Sequence, residues 1–118
     1  MGRLGELERA VMDALWDAEG SLSAYDVQHQ LERVGRSLAA TTLLTVLSRL
    51  EKKGFVASDR SARPHRYTAV ASRADHVAEL MHSVLGDAGD RTAVLARFVG
   101  GVSAEDAATL RRLLSGAG

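Results

Sequence analysis

The sequence predicts a mainly α protein with a small β-hairpin, and two observations support this fold class. Apolar residues recur at helical spacing in six segments, and at about residues 55–70 this period gives way to two short alternating runs. The composition is that of a globular protein, because 46% of the 118 residues are hydrophobic and 25% are charged. Only 4% are aromatic, so the core must consist mainly of Leu, Val and Ala.

The first two helices are predicted from their apolar stripes and their end signals. The segment "LGELERAVMDALWDAEG" stops at Gly20. The segment "SAYDVQHQLERVG" starts from a cap at Ser23, has Asp26 at its third helical position and stops at Gly35. The residues expected to face the core are Leu7, Ala10, Val11, Ala14, Leu15 and Ala18 in the first helix and Val27, Leu31 and Val34 in the second.

The third helix, at about residues 39–53, has an unusual exposed face. Leu43, Val46, Leu47 and Leu50 form its apolar stripe, and Gly54 stops it. On the side opposite the stripe, many positions carry the short hydroxyl side chains of Thr and Ser, which are mediocre helix formers. A helix face that serves only solubility more often carries Glu, Lys, Gln or Arg. The residues of this helix that we predict to contact DNA are Thr41, Thr42, Leu44, Thr45, Ser48, Arg49 and Lys52.

Two short strands, "FVASD" and "HRYTAV", follow the third helix, and the polar turn "RSARP" separates them. Three helices followed by a hairpin within about 70 residues is the order of a winged helix-turn-helix, whose third helix enters the major groove of DNA. The sequence therefore predicts such a domain at residues 1–71, with a wing at about residues 55–70.

Positive charge is concentrated in this part of the chain, although the formal net charge is zero. Residues 1–35 hold three Lys or Arg and seven Asp or Glu, residues 36–70 hold seven and two, and residues 71–118 hold five and six. A basic segment with a hydroxyl face favours binding of double-stranded DNA, against the alternatives of a solvated helix face and a charged turn that protects sheet edges. The predicted wing contacts are Arg63, His65 and Arg66, with Arg60 beside them.

Three further helical segments follow, and we expect them to form a dimerisation region at residues 72–118. Ser72 and Asp75 provide caps for the first of these segments, and Ser103 and Asp106 for the third. Three short helices are close to the lower limit for a self-sufficient core, so sharing the core with a second copy is the economical solution. The expected interface residues are Val77, Leu80, Met81, Val84, Leu85, Leu95, Phe98, Val99, Leu110, Leu113 and Leu114.

The chain contains four stretches, "LGELERAVMDALW", "TTLLTVLSRLEKKGFV", "RPHRYTAV" and "VLARFV", that resemble the penicillinase-repressor (BlaI/MecI) family of bacterial regulators. The resemblance covers nearly the whole chain. It implies a winged helix followed by a helical dimerisation region, in a homodimer that represses transcription from operators with two-fold symmetry. Leu44 lies at a position that is basic in some relatives, so the preferred base sequence is expected to differ from theirs. The DNA contacts implied by the resemblance are Thr41, Thr42, Thr45, Arg49, His65 and Arg66.

The resemblance also raises the question of an inducing signal. In antibiotic-responsive members, a membrane-bound metalloprotease sensor triggers cleavage just before a phenylalanine in the C-terminal region. The corresponding bond here is Arg97–Phe98, and such a sensor is the implied partner. The apolar neighbours Leu95 and Val99 favour the alternative that Phe98 is an interface anchor. Copper-responsive members use a C-terminal cysteine motif, which this cysteine-free chain lacks.

Two alternative functions stay open at this point. Asp75, Glu79 and His82 have the spacing i, i+4, i+7, with His76 beside them, so a metal-responsive regulator is conceivable. Winged helices also serve as protein-interaction modules, with which a near-neutral chain is compatible.

Enzymes and membrane proteins find no support in the sequence. It contains no HExxH motif, no glycine-rich phosphate loop and no serine motif with a partner, so no catalytic residue and no cofactor are expected. No apolar run approaches the roughly 20 residues of a membrane span, and the first residues do not resemble a secretory signal. We therefore expect a cytoplasmic protein.

Overall fold

A computed structural model describes residues 4–116 and confirms the predicted fold class. Within these residues the chain is mainly helical and contains one small antiparallel sheet. In chain order the elements are α1 (Glu6–Asp17), β1 (Leu22–Ser23), α2 (Ala24–Arg33), α3 (Ala40–Lys52), β2 (Val56–Asp59), β3 (Arg66–Ala69), α4 (Arg73–Gly86), α5 (Arg91–Gly101) and α6 (Ala104–Leu114).

Helices α1, α2 and α3 pack with the sheet around an apolar core. The stripe predicted for α3 is confirmed, because Leu43, Val46, Leu47 and Leu50 are all buried. The opposite side of α3 is consequently turned to solvent. The other buried apolar residues of this core are Val11, Met12, Leu15, Val27, Leu31, Phe55, Val56 and Tyr67.

Two details of the predicted core are wrong. In α1 the buried face includes Met12 and Glu8, which the predicted stripe left out, and Ala18 lies beyond the end of the helix. The long Met12 side chain fills the core more completely than the small alanines at the edge of that stripe. In α2, Val34 is 75% exposed because the helix ends at Arg33 and Val34 is its C-cap.

The sheet has the strand order β1-β3-β2, so the predicted hairpin of β2 and β3 gains a third strand. Leu22 pairs with Tyr67, and Ser23 pairs with Arg66. Ser23 also caps α2 as predicted, because its hydroxyl accepts from the Asp26 backbone N–H at 3.1 Å and the Asp26 carboxylate accepts from the Ser23 N–H at 3.0 Å. Ser23 therefore joins the wing to the start of α2.

The described residues form two compact units, which divide between Leu80 and Met81 inside α4. The first unit holds the core described above and the start of α4, where Ser72 and Asp75 form the predicted cap. In the second unit, none of residues 81–116 is buried. The assignment of residues 1–71 and 72–118 to separate functions remains a prediction. No helix within residues 4–116 has the length and apolar character needed to cross a membrane.

Candidate nucleic-acid interface

Helix α3 exposes all seven of its own residues that the sequence predicts for DNA contact; the other three lie in the wing. Because the apolar stripe fixes one side of the helix in the core, these seven positions are turned to solvent, and we call them the α3 face. The α3 face consists of Thr41, Thr42, Leu44, Thr45, Ser48, Arg49 and Lys52.

One hydroxyl of the α3 face, that of Thr45, already forms a hydrogen bond within the helix. The Thr45 hydroxyl donates to the backbone carbonyl of Thr41 at 3.0 Å, one helical turn back. Its proton is therefore used inside the helix, and Thr45 retains its methyl group and the acceptor lone pairs of its oxygen for any partner.

The two cations of the α3 face are available to an anionic partner. Arg49 and Lys52 are exposed, and within residues 4–116 neither forms an ion pair. Since neither cation is paired with a carboxylate in these residues, this end of α3 is suited to phosphate oxygens.

Side-chain contacts hold α3 in place at both ends. Before the helix, the amide of Gln28 donates to the carbonyl of Leu38 at 2.8 Å. After it, the ammonium group of Lys53 donates to both carboxylate oxygens of Glu8 at 2.9 Å. The pKa of the Glu8 carboxyl is below its ordinary value, mainly because the backbone N–H of Gly5 donates to it and then because of Lys53. The orientation of the α3 face is thereby fixed relative to α1 and α2.

The wing is tied to α3 through Glu51. The Ser58 hydroxyl donates to one carboxylate oxygen of Glu51 at 2.6 Å, and the Arg60 guanidinium donates to the other at 2.9 Å. These contacts, Ser58 first, lower the pKa of Glu51. The charge of Arg60 is therefore compensated within the protein.

The residues predicted for DNA contact in the wing differ in exposure and in their hydrogen bonds within the protein. Arg63 is exposed, and among residues 4–116 its guanidinium donates only to the backbone carbonyls of Arg60 and Ala62, which do not neutralise its charge. His65 is half-buried. The Arg66 guanidinium donates to the hydroxyl and the carbonyl of Ser21 at 3.0 and 2.6 Å.

Arg66 also lies 3.8 Å from the Asp26 carboxylate. The Ser23 backbone N–H, and to a lesser degree Arg66, lowers the pKa of Asp26. Arg66 thus binds β3 to the segment before α2, and its contact with DNA remains a prediction.

Tyr25 is a surface residue that the sequence pattern does not single out. It lies in the first turn of α2, is 74% exposed, and lines an open depression of about 300 Å³ together with Leu44 and the wing turn at Arg63, Pro64 and His65. Its position two residues after the cap Ser23 was the available signal, since the start of the helix before a recognition helix lies close to the DNA backbone in such domains.

The metal-binding alternative is not supported by the geometry. Within residues 4–116, no three His, Cys, Asp or Glu side chains are placed to hold a metal ion, so Asp75, Glu79 and His82 do not form a ligand set in one protomer. His76 is buried, with its ring centroid 5.3 Å from that of Trp16 and 5.6 Å from that of Phe55. Its role is therefore packing of α4 in the core.

The residues predicted for dimerisation are mostly open to solvent in the single chain. Leu80, Leu85 and Leu110 are half-buried, while Phe98 is 51% and Leu114 is 85% exposed. The remaining exposed members are Val77, Met81, Val84, Leu95, Val99 and Leu113. The predicted cleavage bond Arg97–Phe98 lies inside α5.

Residues 4–116 match the sequence model of the penicillinase repressor family. The chain belongs to the penicillinase repressor family. Two curated relatives, both named Transcriptional regulator BlaI, come from Mycobacterium tuberculosis strains CDC 1551 / Oshkosh and ATCC 25618 / H37Rv. Each is 46% identical over 116 residues, an alignment that covers 96% of this chain and 83% of the relative.

Family membership confirms the resemblance seen in the four sequence stretches. It also confirms that this penicillinase repressor family member is a transcriptional regulator and not an enzyme. The exposed α3 face and the wing beside it agree with the DNA-binding winged helix that such a regulator requires.

Proposed function

We propose that the protein is a homodimeric transcriptional repressor that binds a two-fold symmetric operator through the α3 face and the wing. The observation that carries this proposal is the α3 face itself. It exposes short side chains that could contact base edges, and beside them the cations Arg49 and Lys52, which have no ion-pair partner in residues 4–116. Short side chains let a helix approach the floor of the major groove closely, and the cations bind the flanking phosphates.

The dimer is supported by the exposed apolar side chains of the C-terminal helices. Residues 91–100, the greater part of α5, are all exposed, although Val94, Leu95, Phe98 and Val99 are apolar. An apolar surface of this kind on a small protein marks an interaction site, and a second copy of the same helices offers a matching surface. Two copies of α3 would then read two half-sites about one helical turn, or a small multiple of it, apart.

The role of Phe98 in this proposal is that of an interface anchor. It is half-exposed in the single chain and lies among apolar neighbours of α5. Cleavage of the Arg97–Phe98 bond by a membrane-bound metalloprotease is the alternative, and it requires α5 to unfold locally, since proteases bind extended segments. Incubation of the purified repressor with membranes that contain such a protease, followed by mass spectrometry of the fragments, distinguishes the two roles.

Fluorescence anisotropy on the DNA upstream of the protein's own gene tests the proposal. We expect tight binding of two chains per duplex, with an affinity that falls steeply between low and moderate salt, and much weaker binding to a scrambled duplex. Equal and weak binding to both duplexes would instead indicate the protein-interaction module.

A further inference from the structure

The depression beside the α3 face collects apolar surface from three separate elements. Leu44 comes from the middle of α3, Tyr25 from the first turn of α2 and Pro64 from the wing turn. Leu44 is 48% exposed and Tyr25 is 74% exposed. Single exposed apolar residues need no explanation, but three that converge on one concave surface indicate a binding position.

Charge around the depression identifies the kind of partner. Arg63 and His65 line the same depression, and the Arg63 side chain is exposed. An apolar floor beside the Arg63 guanidinium fits a base next to its own phosphate, whereas an apolar segment of another protein would leave this charge without a partner.

The chemistry of Leu44 then restricts which base is read. Leu44 is the only residue of the α3 face without a hydrogen-bonding group, so it gains nothing from the donors and acceptors of a base edge. In the major groove the 5-methyl group of thymine is the one apolar feature of the base pairs. Next to Leu44, Thr45 carries a methyl group as well, and its hydroxyl proton is already donated to Thr41.

We propose that Leu44, supported by Tyr25 and Pro64, reads the 5-methyl group of one thymine in each half-site of the operator. This inference rests on the proposed function and adds the identity of one base to it. Arg63, which lines the same depression, binds a phosphate beside that thymine.

Uracil substitution tests the contact without changing base pairing. The purified full chain first selects its operator from random duplexes at low salt. Each thymine of the selected operator is then replaced in turn by deoxyuridine, which lacks only the methyl group, and affinities are measured by anisotropy for the wild type, Leu44→Ala and Leu44→Met. Val34→Ala, at an exposed position outside the α3 face, is the matched control.

We expect one thymine per half-site at which uracil weakens binding by about threefold to fivefold, the value of one buried methyl group. Leu44→Ala should bind the thymine operator about as weakly as the wild type binds the uracil operator, with no further loss on uracil substitution. Leu44→Met and Val34→Ala should keep the wild-type sensitivity.

Two results would overturn the inference while leaving the proposed function intact. One is selective binding in which no uracil substitution matters, and the other is a uracil effect that persists in Leu44→Ala. A failure to select any operator would be a different outcome, because it contradicts DNA recognition by the α3 face altogether.

Discussion

The ammonium group of Lys53 lies 2.9 Å from both carboxylate oxygens of Glu8, although 45 residues separate them in the chain. The contact joins the end of the helix proposed to read DNA to the first turn of α1. Because only 12% of the Glu8 side chain is exposed, water competes weakly for this pair. The direction of α3 thus depends on an interaction outside the proposed DNA interface.

Glu8→Gln should lower the free energy of unfolding at pH 7 by about 1–2 kcal/mol, because the amide cannot accept both charge-assisted contacts. The pKa of Glu8 is lower in the folded chain than in the unfolded chain. Its stabilisation is therefore complete above about pH 4.3, the ordinary value for glutamate, and is lost as the pH falls further. Urea unfolding at several pH values should show the wild type and the variant converging below that pH.

The matched control for this experiment is Glu6→Gln. Glu6 lies in the same turn of α1 and pairs with Arg36, but its side chain is 84% exposed. We expect a change within about 0.5 kcal/mol, as for most exposed ion pairs. A similar loss in both variants would show that the burial of Glu8 does not matter.

Arg49→Ala should weaken operator binding by a few kcal/mol at most. It should also reduce the slope of log affinity against log salt concentration by about one, the value of one phosphate contact. The reason is the loss of one cation that has no ion-pair partner in residues 4–116. Anisotropy at several salt concentrations measures both quantities. Arg33→Ala, an exposed change on α2, is the control, and unchanged affinity and slope in Arg49→Ala would contradict the assignment of the α3 face.

Thr45→Ala should relax base preference more than it reduces affinity for unrelated DNA, because Thr45 lies at the centre of the α3 face. Thr45→Val keeps a methyl group and loses the hydroxyl, which already donates to Thr41, whereas Thr45→Ser does the reverse. We expect the valine variant to keep more of the wild-type preference in a selection from random duplexes. Better retention by serine would show that the hydroxyl makes the contact.

Arg66→Met should destabilise the winged helix by about 1–2 kcal/mol, since it removes charge-assisted hydrogen bonds to Ser21. Arg63→Met should leave stability nearly unchanged and weaken DNA binding. Thermal unfolding and anisotropy on both variants separate the two roles. If Arg66→Met lost affinity at full stability, Arg66 would be a DNA contact after all.

Phe98→Asp should raise the dissociation constant of the dimer by about tenfold or more, because an isolated carboxylate is costly in an apolar interface. Light scattering after gel filtration, at concentrations that span the transition, measures it. Val34→Asp introduces the same charge at a residue that is 75% exposed in the first unit, and it should remain dimeric. A Phe98→Asp protein with wild-type mass would show that the copies associate through another surface.

The sequence predicts local features of this protein well and long-range contacts poorly. The stripe from Leu43 to Leu50 and the Ser23 cap follow from spacing and hydrogen-bonding chemistry within one or two helical turns, and both are confirmed. The burial of Glu8 depends on Lys53, far along the chain, which no local pattern reveals. The two-residue strand at Leu22 is too short to show any period.

The candidate site shows the same division. The residues of the α3 face are predicted correctly as exposed, because the apolar stripe defines the opposite side of the helix. The sequence does not indicate that Arg66 is held by Ser21 or that Tyr25 lies near Leu44, since both facts arise from the packing of separate elements.

The absence of any buried residue among positions 81–116 has a consequence for gene control. In the proposed dimer these helices obtain their core only by pairing, so the amount of active repressor grows with the square of the chain concentration while the monomer predominates. A halving of protein synthesis would then reduce the amount of dimer to about a quarter. The repressor would respond to its own abundance as a threshold, and an unpaired copy would present its apolar helices to cellular proteases.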